Sequence, residues 1–173
     1  MTSPSWPSGG LDPLLQDLQE AYLPEIQEYD FPGLLRDTRL GRKAVVSSFG
    51  AESIVLLHFL SQIIPDIDVL FIDTLRHFPE TLDYRDAVSE QLNLNLVVVS
   101  PSDKMVATED PYGALYNADP NTCCTIRKVF PLQDALENYD SWFSGRKRFQ
   151  SSTRASVPIL ERDGEKLKIN PLA

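Results

Sequence analysis

The chain has 173 residues, 42% hydrophobic and 24% charged, enough for one domain with a true core and ordinary for a globular protein. Its formal net charge of −9 excludes a sequence-independent grip on nucleic acid, which needs many lysine and arginine contacts to phosphate. No apolar run approaches the roughly 20 residues of a membrane span, and residues 1–10 lack the basic flank and apolar stretch of a signal peptide, so a cytoplasmic protein with no membrane or nucleic-acid partner is expected.

Residues 1–10 hold three serines, two prolines and two glycines and read as a flexible tail, which leaves residues 11–173 as one domain. Residues 11–40 carry two short amphipathic helices, broken at Pro24 and Pro32. Ala44, Val45 and Val46 begin a strand, residues 47–53 form a turn, and residues 54–64 are apolar on most faces, as a buried helix stopped by Pro65 would be. The continuous run Val69-Leu70-Phe71-Ile72 suits a central parallel strand ending at Asp73 and Thr74. A helix over about residues 80–92, opened by Pro79, and a strand over residues 94–99 follow. The alternation predicts an α/β fold: an open, mainly parallel sheet with flanking helices.

Residues 100–121 read as a long acidic loop with Pro101, Pro111 and Pro120. A helix starting near Asn121 or Thr122 would place Cys123 and Cys124 in its first turn, before Pro131 bends or interrupts it. Residues 141–144 suit a further strand, and residues 157–169 alternate around Asp163-Gly164 as a C-terminal hairpin.

Cys123 and Cys124 are the only two cysteines. Adjacent α-carbons lie about 3.8 Å apart, shorter than the roughly 4.4 to 6.8 Å that a disulfide ordinarily spans, so the pair is no structural staple. A closed zinc site wants four ligands and a wider spacing. Neighbouring sulfurs suit an iron–sulfur cluster, where each can reach a different iron, although such clusters take about four cysteines. The bland alternative is a pair of small buried hydrophobes; Arg127 and Lys128 weigh against it, since cations favour the thiolate.

Small and hydroxylated residues between a strand and a helix make residues 47–53 a phosphate-cradle candidate, with a simple tight turn as the alternative. No lysine follows Gly50, so this is not the ATPase loop. Asp73 and Thr74, at the carboxyl end of a strand, could accept from ribose hydroxyls or an adenine amine, or could cap a helix. His77 reads as a packing residue and His58 as a satisfied core histidine. Arg146, Lys147, Arg148 and Arg154 fall within nine positions free of acids, which fits either a pocket for a small anion or a solvated basic loop.

Five segments in order, Ser-Phe-Gly-Ala-Glu-Ser, Ile-Asp-Thr with His-Phe-Pro-Glu-Thr, Cys-Cys-Thr-Ile-Arg-Lys-Val-Phe-Pro-Leu, Gly-Arg-Lys-Arg-Phe-Gln and Lys-Ile-Asn-Pro-Leu, resemble the assimilatory adenylyl-sulfate and phosphoadenylyl-sulfate reductases, in their iron–sulfur, double-cysteine branch. The resemblance runs from about residue 44 to the end and implies an adenine nucleotide alpha-hydrolase-like fold. It implies that Ser47, Ser48, Phe49, Gly50 and Ser53 form a modified nucleotide loop, that Asp73 and Thr74 flank adenine and ribose, and that Arg146, Lys147, Arg148 and Arg154 hold the phosphosulfate. Cys123 and Cys124 would be two of four ligands to a [4Fe–4S] cluster, with Lys128 between cluster and sulfate. The implied activity is thioredoxin- or glutaredoxin-dependent reduction of adenylyl sulfate to sulfite and AMP, with homo-oligomers left open, including two chains pooling cysteines into one cluster.

Two departures stand out. Leu75 replaces a glycine frequent in the family after Asp-Thr. Family members also continue past Asn-Pro-Leu to a Cys-x-x-Cys pair and a C-terminal nucleophilic cysteine; neither is present, so no catalytic residue is assigned and a domain incomplete at its C-terminus is expected. The alternatives are a phosphoadenylyl-sulfate reductase, a non-catalytic adenine-nucleotide module, and a related enzyme that adenylates a substrate and releases pyrophosphate.

Overall fold

Three apolar runs, separated in the sequence by helices, meet as adjacent parallel strands. The computed structural model describes residues 12–23, 29–147 and 157–173; residues 1–10, Pro24, Arg148 and Arg154 lie outside the described residues. The strands are β1 (Lys43–Val46), β2 (Asp68–Ile72) and β3 (Asn95–Val99), linked by helices α3 (Ala51–Ile63) and α4 (Pro79–Gln91). β4 (Ser141–Ser144) pairs with the other side of β1, and the hairpin of β5 (Leu160–Asp163) and β6 (Lys166–Ile169) completes a sheet of order β3-β2-β1-β4-β6-β5. All neighbours are parallel except β5 and β6, so the open, mainly parallel sheet with a C-terminal hairpin is borne out.

Alternation along each strand divides the core in two. Val45, Val69, Phe71 and Phe143 face the layer that includes Leu56, Leu57 and Leu60 of α3 and Val88 of α4. Ala44, Leu70 and Trp142 face the other layer, with Leu136 and Tyr139. Each fully buried large side chain adds about 1.5–3 kcal/mol from removal of apolar surface from water, so the sheet is fixed in register from both sides. Leu18, Leu34 and Leu35 of α1 (Pro13–Tyr22) and α2 (Phe31–Arg36) join the first layer.

Several expectations are corrected. Pro32 does not break a helix; it sits in the first turn of α2, where its missing N–H costs nothing, behind the cap Asp30. α3 is not buried all round: Val55 is 64% exposed, Phe59 is exposed, and His58 lies on that solvent face instead of in the core. Only one side of α3 meets the sheet, so apolar content overstated its burial. The acidic segment 100–121 is not a loop but three short helices, α5 (Asp103–Glu109), α6 (Leu115–Ala118) and α7 (Pro120–Cys124). Ser102 caps α5 through the Met105 N–H, and Asp119 caps α7 through the Thr122 N–H.

Capping by Asp119 starts α7 ahead of Asn121, so Cys123 closes its first turn, donating to the Asp119 carbonyl at 3.0 Å. A π-helical turn, Thr125–Val129, then leads into α8 (Phe130–Leu136). Pro131 interrupts nothing: it occupies the first turn of α8, after the looser turn has already shifted the hydrogen-bond register. Among the described residues, no helix is long and apolar enough to cross a membrane.

Candidate active site

The direction of strand addition reverses at β1: β2 and β3 lie to one side, β4 and β6 to the other. Val46 is opposite both Leu70 and Ser144, so the loops beginning at Ser47 and Gly145 leave the sheet side by side. A crevice outside the carboxyl ends of strands at such a reversal is where open α/β sheets take their ligands.

Serine chemistry shapes the first loop. The Ser47 N–H donates to the Leu70 carbonyl at 3.1 Å, and Ser47 Oγ accepts from the Phe49 N–H at 3.1 Å. Phe49 adopts a left-handed φ of 56° yet is buried edge-on against Phe71, ring centroids 5.8 Å apart. Left-handed backbone costs a residue with a β-carbon about 1–2 kcal/mol, an expense that persists only where surrounding packing dictates it. With Ser47 and Phe49 turned inward, Ser48 and Gly50 are exposed, and Gly50, the N-cap of α3, offers no side chain to cap it. The Ser53 N–H donates to the Gly50 carbonyl at 2.8 Å, and the helix N–H groups ahead of it, which have no intrahelical acceptor, suit an anion. A β-carbon at Gly145 would meet nothing of the protein outside its chain neighbours closer than Ser53 Oγ at 3.7 Å, so the fold's own contacts do not demand glycine there.

Neither Asp73 nor Thr74 caps α4, whose N-cap is Phe78 without a side-chain bond. Asp73 Oδ1 accepts from the Leu75 N–H at 2.9 Å, Thr74 is buried, and Leu75 takes a left-handed φ of 60°. His77 packs as expected, its ring 5.0 Å from Phe71 and Nε2 3.1 Å from the Ile72 carbonyl oxygen.

The two cations after the cysteines part company. Arg127 is buried; its Nη2 donates to Asp110 Oδ2 at 2.7 Å and its Nη1 to the Thr74 carbonyl at 3.0 Å. Asp110 also accepts from the Leu115 N–H at 3.0 Å, and the Arg127 hydrogen bond, then that amide, hold its carboxyl below the usual carboxylate range. Arg127 is therefore committed to a carboxylate, not set as a free cation beside a thiolate, which corrects its sequence reading. Lys128 is exposed.

Cys123 is half-buried and Cys124 exposed, neither in a disulfide, so they are not a pair of buried hydrophobes. Among the described residues, no group of three or more His, Cys, Asp or Glu side chains could hold a metal ion. Two adjacent thiols match half the ligand set of a four-iron cluster. These residues alone do not complete it.

Beyond β4, the Arg146 N–H donates to Ser144 Oγ at 3.4 Å, and Ser144 Oγ donates to Asn170 Oδ1 at 2.5 Å. Buried Asn170 donates in turn to the Pro158 carbonyl at 2.8 Å and to Glu161 Oε1 at 3.0 Å, so the Asn-Pro-Leu segment buttresses the start of the basic run. The structure brings Ser47, Ser48, Phe49, Gly50, Ser53, Asp73, Thr74, Arg146 and Lys147 to one edge of the sheet, and ties the helix carrying Cys123 and Cys124 to Thr74 through Arg127. Arg148 and Arg154 lie outside the described residues. Sequence reasoning did not single out Asp110, Asn170 or Gly145. Gly145 and Asn170 both lay inside quoted motifs, but their neighbours are set by the pairing of β4 with β1 and β6.

The sequence matches the phosphoadenosine phosphosulfate reductase domain over residues 42–173. It is 48% identical over 134 residues to the adenosine 5′-phosphosulfate reductase of Chelativorans sp. (strain BNC1), covering 77% of this chain and 55% of that protein. It is 44% identical over 135 residues to the phosphoadenosine 5′-phosphosulfate reductase of Xanthomonas oryzae pv. oryzae (strain PXO99A), covering 75% and 56%. The chain thus spans about half the length of these curated relatives. Among solved structures, the phosphoadenylyl-sulfate reductase of Candida auris superposes with a TM-score of 0.71 at 24% identity, over 96% of this chain and 82% of that one, a likeness of fold. With the domain match spanning every strand of the sheet, the chain belongs to the phosphoadenosine phosphosulfate reductase domain family.

Proposed function

We propose that the chain is the nucleotide-binding portion of a thioredoxin- or glutaredoxin-dependent adenylyl-sulfate reductase of sulfate assimilation, acting in the cytoplasm. The observation that carries this reading is that the loops after β1, β2 and β4 leave one edge of the sheet around the point where strand order reverses, with a helix N-terminus that has no side-chain cap among them. The reaction takes two electrons from a dithiol: the bond between sulfur and the AMP oxygen breaks, sulfite and AMP leave, and the dithiol becomes a disulfide.

In this reading the loop of Ser47, Ser48, Phe49, Gly50 and Ser53 cradles the nucleotide's phosphate at the positive end of α3: Ser47 and Phe49, whose N–H groups are engaged within the protein, shape the loop, and exposed Ser48 and Gly50 with the Ser53 hydroxyl meet the phosphate. Asp73 and Thr74 take adenine and ribose. Arg146 and Lys147, joined by Arg148 and Arg154, neutralise the phosphosulfate and hold it for attack. Lys128 approaches the sulfate from the cysteine side. Cys123 and Cys124 supply two thiolates to a [4Fe–4S] cluster whose other two ligands come from beyond this chain's cysteines. The attacking thiolate is likewise not assigned to any residue of this chain. A homo-oligomer in which two chains share a cluster remains one arrangement of this reading.

A second reading, phosphoadenylyl-sulfate reductase, is favoured by the 44% identity to a relative of that name. Parallel calorimetric titrations with the two sulfonucleotides decide between them. Tighter binding of adenylyl sulfate supports the first, the reverse order the second, and no heat from either with the fold intact removes both. Pyrophosphate release from ATP would favour an adenylating enzyme instead.

A further inference from the structure

The peptide unit between Thr74 and Leu75 is held from both sides. Its carbonyl accepts from Arg127 Nη1 at 3.0 Å, and its N–H donates to Asp73 Oδ1 at 2.9 Å. It leads into a leucine with φ 60° that is 50% exposed, so burial does not account for the left-handed backbone. A peptide unit is planar, and rotating it about the line joining the Thr74 and Leu75 α-carbons changes the ψ of one and the φ of the other together. That rotation would carry Leu75 out of the left-handed region, so the relaxed alternative is one peptide flip away. The restraining arginine is 3% exposed, is anchored on Asp110, and belongs to the π-helical turn that directly follows Cys124. Such turns recur at functional sites.

We propose that Arg127 is a positioning residue: by gripping the Thr74 carbonyl it keeps the Thr74–Leu75 peptide in its strained orientation and sets the nucleotide side of the crevice in register with the double-cysteine helix. The proposal rests on the nucleotide-binding reading of residues 73–74. An arginine that only stabilised the fold would matter equally whatever occupied position 75. A positioning arginine matters less once position 75 tolerates left-handed backbone freely, as glycine does.

The test is a cycle of four chains, the parent, Arg127→Lys, Leu75→Gly and the double variant. AMP is titrated into each by calorimetry, and exchange of the residue-75 amide is followed without nucleotide. Arg127→Lys is expected to weaken AMP about tenfold and to speed exchange of that amide. In the Leu75→Gly background the same change is expected to cost less than about threefold. Equal losses in both backgrounds, or an amide indifferent to Arg127, would overturn the proposal. Should the parent bind no AMP, the nucleotide reading fails, and the exchange comparison alone judges the restraint. If Arg127→Lys does not fold, Asp110→Asn, which loosens the anchor and leaves the guanidinium in place, goes through the same cycle under the same criteria.

Discussion

Arg127 Nη2 lies 2.7 Å from Asp110 Oδ2, and both side chains are almost wholly excluded from solvent. This pair joins the segment between α5 and α6 to the turn behind the cysteines. Because Asp110 is held below its ordinary value, chiefly by Arg127, it adds stability that is complete above the unfolded value near pH 4 and lost as pH falls through the lower folded value. Thermal unfolding from pH 6 down to about pH 2 is the check. Below about pH 4 the parent should lose melting temperature more steeply than Asp110→Asn; parallel slopes would remove the pair from the protein's acid response.

Gly145 separates fold from ligand. Its added β-carbon would make only ordinary contacts, so Gly145→Ala should change unfolding free energy by no more than about 0.5 kcal/mol. At the crevice, however, the methyl group would occupy space between the loops after β1 and β4. Sulfonucleotide affinity is therefore expected to fall at least about tenfold, measured by calorimetry. Unchanged affinity would place the ligand elsewhere.

Phe49 holds the first loop inward. Phe49→Ala removes a buried ring packed on Phe71 and should cost about 3–5 kcal/mol in denaturant unfolding. Phe78→Ala, at a ring 76% exposed, should stay within about 0.5 kcal/mol. Similar costs at the two sites would contradict the described packing.

The thiols should differ in access. Alkylation followed by peptide mass analysis is expected to label Cys124 faster than Cys123, with no loss of thiol to a disulfide between them. Equal rates would mean that the half-burial of Cys123 does not limit its chemistry.

Much of the sheet was legible because its strands are short continuous apolar runs bounded by turn residues, as Val69-Leu70-Phe71-Ile72 shows. The candidate loops followed from their place at strand ends. What escaped was whatever depends on distant partners. Residues 100–121 look like a loop by their prolines and acids, yet Asp110 is fixed by an arginine 17 positions away, and the helices around it follow. Arg127 looked like a companion to the thiolates because adjacency in sequence hides which way a side chain turns inside a helix. α3 is apolar beyond its buried face, so composition alone could not tell that His58 and Val55 meet solvent.

The most direct test follows backbone amide shifts by NMR as adenylyl sulfate is added to the labelled chain. Saturable changes concentrated in residues 47–53, 73–75 and 145–147 are expected, at the carboxyl edge of the sheet. Changes confined to the opposite edge, around Asp66 and residues 93–95, or no change in a folded chain, would contradict the assignment of that crevice to the nucleotide.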